Sequence, residues 1–387
     1  MAADASLSRE TEDAAVLARE MAASASLTSR DIDDAAVGRG ETAASASLTS
    51  PDLDDAAYGR RFAGDATESP DAAWARLAPH QVFAEPRFVV EPLAEDAGAP
   101  LLDPSAPDRY PPTRPGCVRL VCVSDTHGLH GKDRAATLAL PAGDVLVHAG
   151  DFSNTGGSSD LASFAQWLGE QTQFAAKVVI AGNHDTSLDP PYYKREGARF
   201  HRNADEGGGA DGRARAELRA RVAAAGGVYL EDEAVEAAGL RFYGAPWQPF
   251  FCDWAFNLAR GAPCRERWRR IPAACDVLVT HGPPLGRGDR VIGPKRPGGG
   301  DLRVGCVDLL DEVQARVRPR VHVFGHVHEG YGATSDGTTD FINASTCTFS
   351  YQPTNPPVVL DVPLPTPTNA VDAAEAAAPA IGGAGHS

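Results

Sequence analysis

The chain lacks the marks of a membrane or secreted protein. Over its 387 residues, no apolar run reaches the roughly 18–20 residues that a membrane-spanning helix needs. The N-terminus is acidic and rich in alanine and serine, without the basic and hydrophobic regions of a secretory signal. The seven cysteines are scattered and include no C-x-x-C pair, which favours reduced thiols over a disulfide frame or a zinc finger. We therefore expect a cytoplasmic protein with no membrane partner.

Basic residues are also scarce. The chain has 36 lysines and arginines against 52 acidic residues, a net charge of −16. The first 115 residues alone hold 21 acids and 10 bases. Neither this part nor the remainder has the basic face that a phosphate backbone requires, so we do not expect long nucleic acid as a partner.

Composition divides the chain into a central domain and flanking regions. In residues 1–60 the motif Ala-Ser-Leu begins at positions 5, 25 and 46, a degenerate repeat with a period near twenty. Such a period can indicate a solenoid, but the copies hold few large apolar residues, so we predict disorder. The Pro- and Ala-rich residues 61–116 predict an extended linker, and residues 362–387 predict a disordered tail. A folded domain is expected over residues 117–361.

The central region has an α/β pattern. Short β-branched runs alternate with segments of helical spacing, which indicates parallel strand–helix–strand units, and hairpin-like strands follow Gly226-Gly227. We predict a flexible insert over residues 203–212. The expected helices are Leu161–Glu170, Arg213–Ala225 and Val307–Val317. The expected strands are Val118–Val123, Val145–His148, Val178–Ala181, Val228–Leu230, Ala234–Ala237, Leu240–Tyr243, Val277–Thr280, Val321–Phe324, Asp340–Asn343 and Val358–Asp361. The fold prediction is α/β, with two sheets packed face to face.

Five short blocks place potential metal ligands directly after predicted strands. They are Ser124-Asp125-Thr126-His127, Gly150-Asp151, Gly182-Asn183-His184-Asp185, Thr280-His281-Gly282 and Gly325-His326-Val327-His328. Each block alone has a structural explanation: Gly-Asp is usually a turn, Gly-Asn-His and Thr-His-Gly fit a loop, and His-Val-His fits a solvated strand face. Histidine and carboxylate together suit manganese, iron, zinc or cobalt. Five such blocks in this order indicate a two-metal centre that acts on phosphate esters.

The blocks resemble the signature of the calcineurin-like metallophosphoesterase superfamily, over residues 118–361. Longer matches resemble its metallophosphoesterase-domain-containing (MPPED) subgroup. They include Gly244-Ala245-Pro246-Trp247, Thr280-His281-Gly282-Pro283-Pro284-Leu285-Gly286, His328-Glu329-Gly330-Tyr331-Gly332 and Ile342-Asn343-Ala344-Ser345-Thr346-Cys347. The resemblance implies a four-layer α/β/β/α sandwich with the metals at one end of its two sheets.

The resemblance also implies roles for eight side chains. A hydroxide bound to the metals would be the nucleophile, and His184 would be the general acid. Two divalent ions are implied, manganese first, with iron, zinc, cobalt or magnesium as alternatives, and no organic cofactor is expected. The implied ligands are Asp125, His127 and His328 for one ion, Asn183, His281 and His326 for the other, and Asp151 for both.

Departures from the family pattern narrow the substrate. Protein phosphatases of this superfamily carry an acid and an arginine shortly after the shared aspartate, where this chain has Asn154-Thr155-Gly156. The arginine that would hold a phosphoprotein is therefore missing, as is an aspartate to orient His184, for which Asp185 is a substitute candidate. Some relatives replace the residue at His326 with glycine, but this chain keeps it, so we expect both metal sites to fill.

These features predict hydrolysis of phosphodiester bonds in small nucleotides, including cyclic ones. A phosphomonoesterase or a nuclease is the alternative, because the ligands alone do not separate these reactions. A nucleotide-binding scaffold with a vestigial metal site is the third hypothesis, in which the N-terminal arm serves an unidentified protein partner. The aromatic residues Trp247, Phe250, Phe251 and Trp254 suit either a core, which we favour, or a wall for a nucleobase.

Overall fold

The computed structural model describes residues 68–92, 110–130, 138–201, 209–291 and 302–365. The predicted disordered repeat over residues 1–60 lies outside these ranges. Residues 203–208 of the predicted insert and 366–387 of the predicted tail also lie outside them.

Two sheets contain the predicted strands. Within the described residues, the first sheet has the strand order β15-β1-β2-β3-β4. The strands β1 to β4 run parallel, and β15 is antiparallel to β1 at the edge. Their bounds are Cys117–Val123 (β1), Val145–His148 (β2), Ala176–Val179 (β3), Gly227–Tyr229 (β4) and Val358–Pro363 (β15).

The second sheet has the order β13-β14-β12-β9-β6-β5, with parallel central strands and antiparallel edge strands β13 and β5. Its strands are Glu233–Ala237 (β5), Leu240–Ala245 (β6), Val277–Thr280 (β9), Val321–Phe324 (β12), Gly332–Ser335 (β13) and Asp340–Asn343 (β14). Two short pairs lie outside both sheets: Gln248–Pro249 (β7) with Asn257–Leu258 (β8), and Arg290–Val291 (β10) with Leu302–Arg303 (β11).

The helices connect the strands and cover the sheets. In the described ranges no helix combines the length and the apolar character needed to cross a bilayer. The predicted helix Val307–Val317 is α-helical only at its start and continues as a π-helix over Glu312–Val317. The α-helices are Pro70–Leu77 (α1), Ser158–Glu170 (α2), Pro190–Glu196 (α3), Arg213–Ala224 (α4), Ala262–Trp268 (α5) and Val307–Asp311 (α6).

Alternation along the strands produces four layers. On β1, Leu120 and Cys122 belong to the core between the two sheets, whereas Val121 and Val123 face the helices on the other side. The same alternation on β9 places Leu278 in a third cluster, against the helices outside the second sheet. Successive strand side chains point to opposite faces, so each buried strand contributes to two apolar layers. The α/β/β/α sandwich is therefore confirmed.

Residues 68–92 form a segment that we call the N-terminal strap. Its helix α1 begins after Ser69, whose hydroxyl accepts a hydrogen bond from the backbone N–H of Ala72 at 3.2 Å. Ala73 and Leu77 of α1 are buried in one cluster with Leu285 and Leu310, which belong to the second half of the domain. This differs from the extended linker that we predicted for residues 61–116.

The strap then contacts the edge of each sheet in turn. Ala84 forms an isolated bridge with Ser335 of β13, and Val89 forms one with Leu360 of β15. Between them, Arg87 pairs with the buried carboxylate of Asp340 at 3.3 Å. The strap thus ties the edge of the second sheet to the edge of the first.

The two sheets also meet directly at the ends of their strands. Ser124, just after β1, forms a parallel bridge with Ser345, just after β14. The backbone N–H of Thr346 donates to the carbonyl of Ser124 at 2.7 Å. This junction lies at the carboxyl ends of the parallel strands, where the predicted metal ligands are found.

Candidate metal centre

The predicted ligands come from the carboxyl ends of five parallel strands. These ends meet at one edge of the sandwich, which is where open α/β sheets place their ligand sites. Strands hold the first atoms of each loop rigidly, so side chains from distant parts of the sequence converge there. Asp125 follows β1, Asp151 follows β2, Asn183 follows β3, His281 follows β9 and His326 follows β12.

Four of the predicted ligands have left-handed backbone conformations. Their φ angles are +52° at Asp125, +43° at His127, +54° at Asp151 and +69° at His326. Non-glycine residues rarely adopt this region, which costs on the order of 1–3 kcal/mol each and concentrates at functional sites. The strained residues are those whose side chains converge at the carboxyl ends of the strands, a region that we call the cleft.

Two glycines of the blocks leave space for the carboxylates. A Cβ at Gly182 would lie 2.2 Å from Oδ1 of Asp151, and a Cβ at Gly325 would lie 2.0 Å from Oδ2 of Asp125. Any side chain at either position would therefore displace a carboxylate. This close approach explains why glycine precedes Asn183 and His326.

One group of potential ligands contains Asp125, His127 and His328, with their ligand atoms all within 4.8 Å of one another. The backbone N–H of His326 donates to both carboxylate oxygens of Asp125, at 3.1 and 3.0 Å, and the Ser345 hydroxyl donates to Oδ2 at 2.9 Å. These bonds fix the carboxylate in the cleft.

A second group contains Asp151, His281 and His326, within the same limit, and Asn183 lies among them. The Oδ1 atom of Asn183 is 2.9 Å from Nε2 of His281 and 2.8 Å from Nδ1 of His326. Asp151 also forms a third group with His127 and His184. It is therefore placed between the two ligand sets, as a shared carboxylate must be.

The hydrogen bonds of His281 test whether a cation suits this position. Its Nδ1–H donates to the carbonyl of Ala149 at 2.9 Å, which leaves Nε2 of the neutral ring as an acceptor. Yet Nε2 faces two further acceptors, Oδ1 of Asn183 at 2.9 Å and Oδ2 of Asp151 at 3.3 Å. Three acceptors that face one another require a proton or a cation between them. The donor set therefore fits a divalent ion.

The first group has the same arrangement. Nδ1–H of His328 donates to the carbonyl of Thr348 at 2.9 Å. Its Nε2 then faces Nε2 of His127 at 3.2 Å and Oδ1 of Asp125 at 3.4 Å. The carbonyl of Thr348 thus fixes the tautomer of His328, as hydrogen-bond acceptors usually do for metal-binding histidines.

The pKa shifts agree with a cation-binding cleft. Burial alone would raise the pKa values of Asp125 and Asp151, but the facing imidazoles lower both well below the usual range. Burial alone would lower the pKa of His281, but the Asp151 carboxylate raises it to about 9. Burial lowers the pKa values of His127 and His326 to about 3. Asp125 and Asp151 are therefore ionised and His127 and His326 neutral, which are the protonation states that a metal needs, whereas His281 would have to release a proton when an ion binds.

His184 lies at the same cleft but is held by a residue that we did not predict. Its Nδ1–H donates to the backbone carbonyl of Asn154 at 2.8 Å, and its ring stacks on Trp254 at 4.1 Å. The suggestion that Asp185 orients this imidazole is wrong. The Asp185 carboxylate instead accepts hydrogen bonds from the backbone N–H groups of Asp151, Gly182 and Ser153 and from the Ser153 hydroxyl.

Comparison with known proteins agrees with this geometry. The sequence model of the calcineurin-like phosphoesterase family matches residues 118–330. The chain belongs to this family. It is 45% identical to metallophosphoesterase domain-containing protein 1 of Homo sapiens and of Mus musculus over 275 residues, which cover 70% of this chain and 77% of each relative. It is also 37% identical to a UPF0046 protein of Caenorhabditis elegans over 301 residues, covering 74% of this chain and 69% of that protein. The MPPED subgroup is thereby confirmed, and the protein is a metallophosphoesterase of the hydrolase class.

Two buried histidines of this phosphoesterase form hydrogen bonds with threonines next to predicted ligands. Nε2 of His148 on β2 lies 3.0 Å from Oγ1 of Thr126, and Nε2 of His322 on β12 lies 2.8 Å from Oγ1 of Thr280. The Thr280 hydroxyl donates to the carbonyl of Gly282 at 2.8 Å, so His322 must be the donor in its pair. We call these two contacts the His–Thr supports. The sequence signal that we missed was a histidine inside an otherwise apolar strand.

The four aromatic residues have different surroundings. Trp247 packs against the core and donates from Nε1 to Asp232, as a structural residue. Phe250 is 55% exposed. Trp254 and Phe251, in contrast, contact the imidazoles of the candidate metal centre.

Proposed function

We propose that this metallophosphoesterase hydrolyses phosphodiester bonds of small nucleotides, including cyclic ones, with two divalent ions. The observation that supports this most directly is the complete donor set in two groups, with Asp151 in the second group and also grouped with His127 of the first. Asp125, His127 and His328 would hold one ion. Asn183, His281 and His326 would hold the other.

The bound ions would supply positive charge that stabilises the phosphoryl oxygens and activates the attacking water. The chain's own contribution to the leaving group would come from His184. Because Asn154 fixes its Nδ1–H, the Nε2 atom is the one left to carry a proton to the leaving oxygen. Burial lowers the pKa of His184, which favours release of that proton once the ring is charged.

The charge around the cleft favours a diester over a monoester. In the described part of the chain, the charged groups that dominate the pKa values of the candidate ligands are other histidines and aspartates, without lysine or arginine. A phosphomonoester carries an additional negative charge, which arginine often compensates in phosphate-binding sites. A singly charged diester needs less compensation.

The substitution Asp151→Asn tests the proposed centre. It removes the charge of the shared carboxylate. We expect kcat/KM on bis-p-nitrophenyl phosphate with manganese to fall by at least about 100-fold, since changes to residues that only hydrogen-bond a metal ligand already cost about 10–100-fold. The bound metal per chain, measured by elemental analysis, should fall as well. Asp211→Asn, at an exposed ion pair, is the control and should leave both unchanged.

Two results would contradict the proposal. A wild-type protein with two metals per chain and no turnover of diesters would exclude phosphodiesterase activity. Faster hydrolysis of mononucleotides or of single-stranded DNA than of cyclic nucleotides would favour the phosphomonoesterase or nuclease alternative.

A further inference from the structure

Each of the two ligand groups has an aromatic neighbour from a different loop. Tyr351 lies against His127 and His328 of the first group, with ring centroids 4.8 and 5.3 Å apart. Phe251 lies against His326 of the second group at 4.8 Å. Both aromatic residues are partly exposed and contact a ligand imidazole.

Phe251 is held in place by a single side-chain amide. Its backbone N–H donates to Oδ1 of Asn257 at 3.2 Å, and its carbonyl accepts from Nδ2 of the same residue at 3.0 Å. Gln248 donates to that Oδ1 atom at 3.2 Å as well. An amide that satisfies both backbone groups of one residue fixes that residue's position within the loop.

The backbone of Tyr351 is also held by a hydrogen bond. Its backbone N–H donates at 2.8 Å to the carbonyl of Thr348, which also accepts from Nδ1 of His328. Its φ angle is +54°, a strained conformation for a tyrosine. One carbonyl therefore bonds both a predicted ligand and the backbone of the aromatic residue beside it.

We propose that Phe251 and Tyr351 are specificity-determining residues that select diesters with planar aromatic groups, such as a nucleobase. This deepens the proposed function and depends on it. Aromatic rings stack on bases irrespective of base identity, and the two rings contact the ligand imidazoles of the described site directly. Recognition would then come from apolar contact beside the phosphate rather than from additional positive charge.

The test compares two diesters that share a leaving group. Bis-p-nitrophenyl phosphate and methyl p-nitrophenyl phosphate both release p-nitrophenolate and differ only in the second ester group, aryl or methyl. In Phe251→Leu and Tyr351→Leu, the ratio of kcat/KM for the aryl diester to that for the methyl diester should fall by about 5- to 100-fold. Leucine keeps an apolar side chain against the imidazole. Tyr351→Phe, which keeps the ring, should retain the wild-type ratio.

Phe83→Leu is the matched control. Phe83 is 60% exposed and contacts Trp74 and Arg287 rather than a residue of the cleft. Metal content and melting temperature of all variants should equal those of the wild type. A ratio that stays constant in both leucine variants, while diesters are still hydrolysed, would overturn the proposal.

A binding measurement separates this proposal from the proposed function. Calorimetry with adenosine monophosphate and ribose 5-phosphate on the metal-loaded protein compares ligands with and without a base, and needs no turnover. Tighter binding of the nucleotide that is lost in both leucine variants supports the aromatic contacts even in a protein that hydrolyses no diester. Equal affinity for the two ligands in the wild type would overturn them.

Discussion

His148 and His322 are histidines that the fold keeps uncharged. Both are fully buried on central strands, where burial lowers the pKa of each imidazole to about 3. Each ring bonds a threonine beside a predicted ligand, so the neutral form is the one that supports the candidate metal centre. Protonation of these rings on acidification therefore opposes folding.

His322→Phe makes this measurable through unfolding at two pH values. The folded pKa lies below the unfolded value of about 6.5, so the unfolded chain binds more protons and wild-type stability is lost as pH falls below 6.5. At pH 7.5 the variant should be about 1 kcal/mol less stable, because it lacks the bond to Thr280. At pH 5 the difference should shift by about 2 kcal/mol in favour of the variant, which would then be about 1 kcal/mol more stable than the wild type. Urea unfolding at both pH values checks this, and a gap that widens at pH 5 would contradict it.

At the scale of the elements, the loops after β1 and β9 depend on the strands beside them. The His–Thr supports join β2 to the Asp125–His127 loop and β12 to the Thr280–His281 loop. They fix loop atoms that lie one residue away from predicted ligands. Loss of such a contact is expected to loosen ligand geometry without removing a ligand.

Thr280→Val and Thr126→Val test this effect. Each keeps the shape of the side chain and removes the hydroxyl, so we expect metal affinity to weaken by about 10- to 100-fold with the fold retained. Titration of metal into the metal-free protein, with circular dichroism as the check of the fold, measures both. Thr339→Val is the matched control, since Thr339 is equally buried and donates to Pro319 instead. Equal metal affinities in Thr280→Val and Thr339→Val would refute the idea.

The central strands were predictable because they are short, apolar and fully buried. The bounds of Val145–His148, Val277–Thr280, Val321–Phe324 and Asp340–Asn343 agree with the prediction at both ends. The helices α1, α3 and α5 were not predicted. Each has proline in its first turn and only seven or eight residues, so little periodicity shows. Proline favours the first turn of a helix as well as linkers. We predicted a linker for the segment of α1 and no element for the segments of α3 and α5.

The ligand side chains of the candidate site were predictable from the sequence, but the backbone groups that position them were not. The structure brings all seven predicted ligands together, although their coordination of ions remains a prediction. The carbonyls of Asn154, Ala149 and Thr348, which fix three imidazoles, have no signature in the sequence. The contact of Tyr351 with the first ligand group also depends on a loop conformation that no short motif specifies.

At the scale of the whole molecule, the N-terminal strap joins an edge strand of the first sheet to an edge strand of the second. It buries Leu77, Phe88 and Val90 and bridges β13 and β15. The division into domains remains a prediction, but it should now place residues 68–92 with the folded part. The preceding repeat lies outside the described residues.

A pair of truncations distinguishes the strap from the repeat. Deletion of residues 1–60 should leave activity and melting temperature unchanged. Deletion of residues 1–92 should lower the melting temperature by at least about 10 °C, because it exposes several large apolar side chains worth about 1.5–3 kcal/mol each. Scanning calorimetry and diester hydrolysis check both chains. A large loss of rate in the shorter deletion would show that the repeat is part of the working domain.

The position of β15 has a consequence for how the protein is made. This last described strand pairs with β1 at the edge of the first sheet, and the buried pair of Arg119 with Asp361 at 2.8 Å joins the two. On the ribosome, β1 emerges more than two hundred residues before its partner. Until then its unpaired edge is open to other chains. Chains truncated before β15 should therefore aggregate, and they should depend on chaperones during translation.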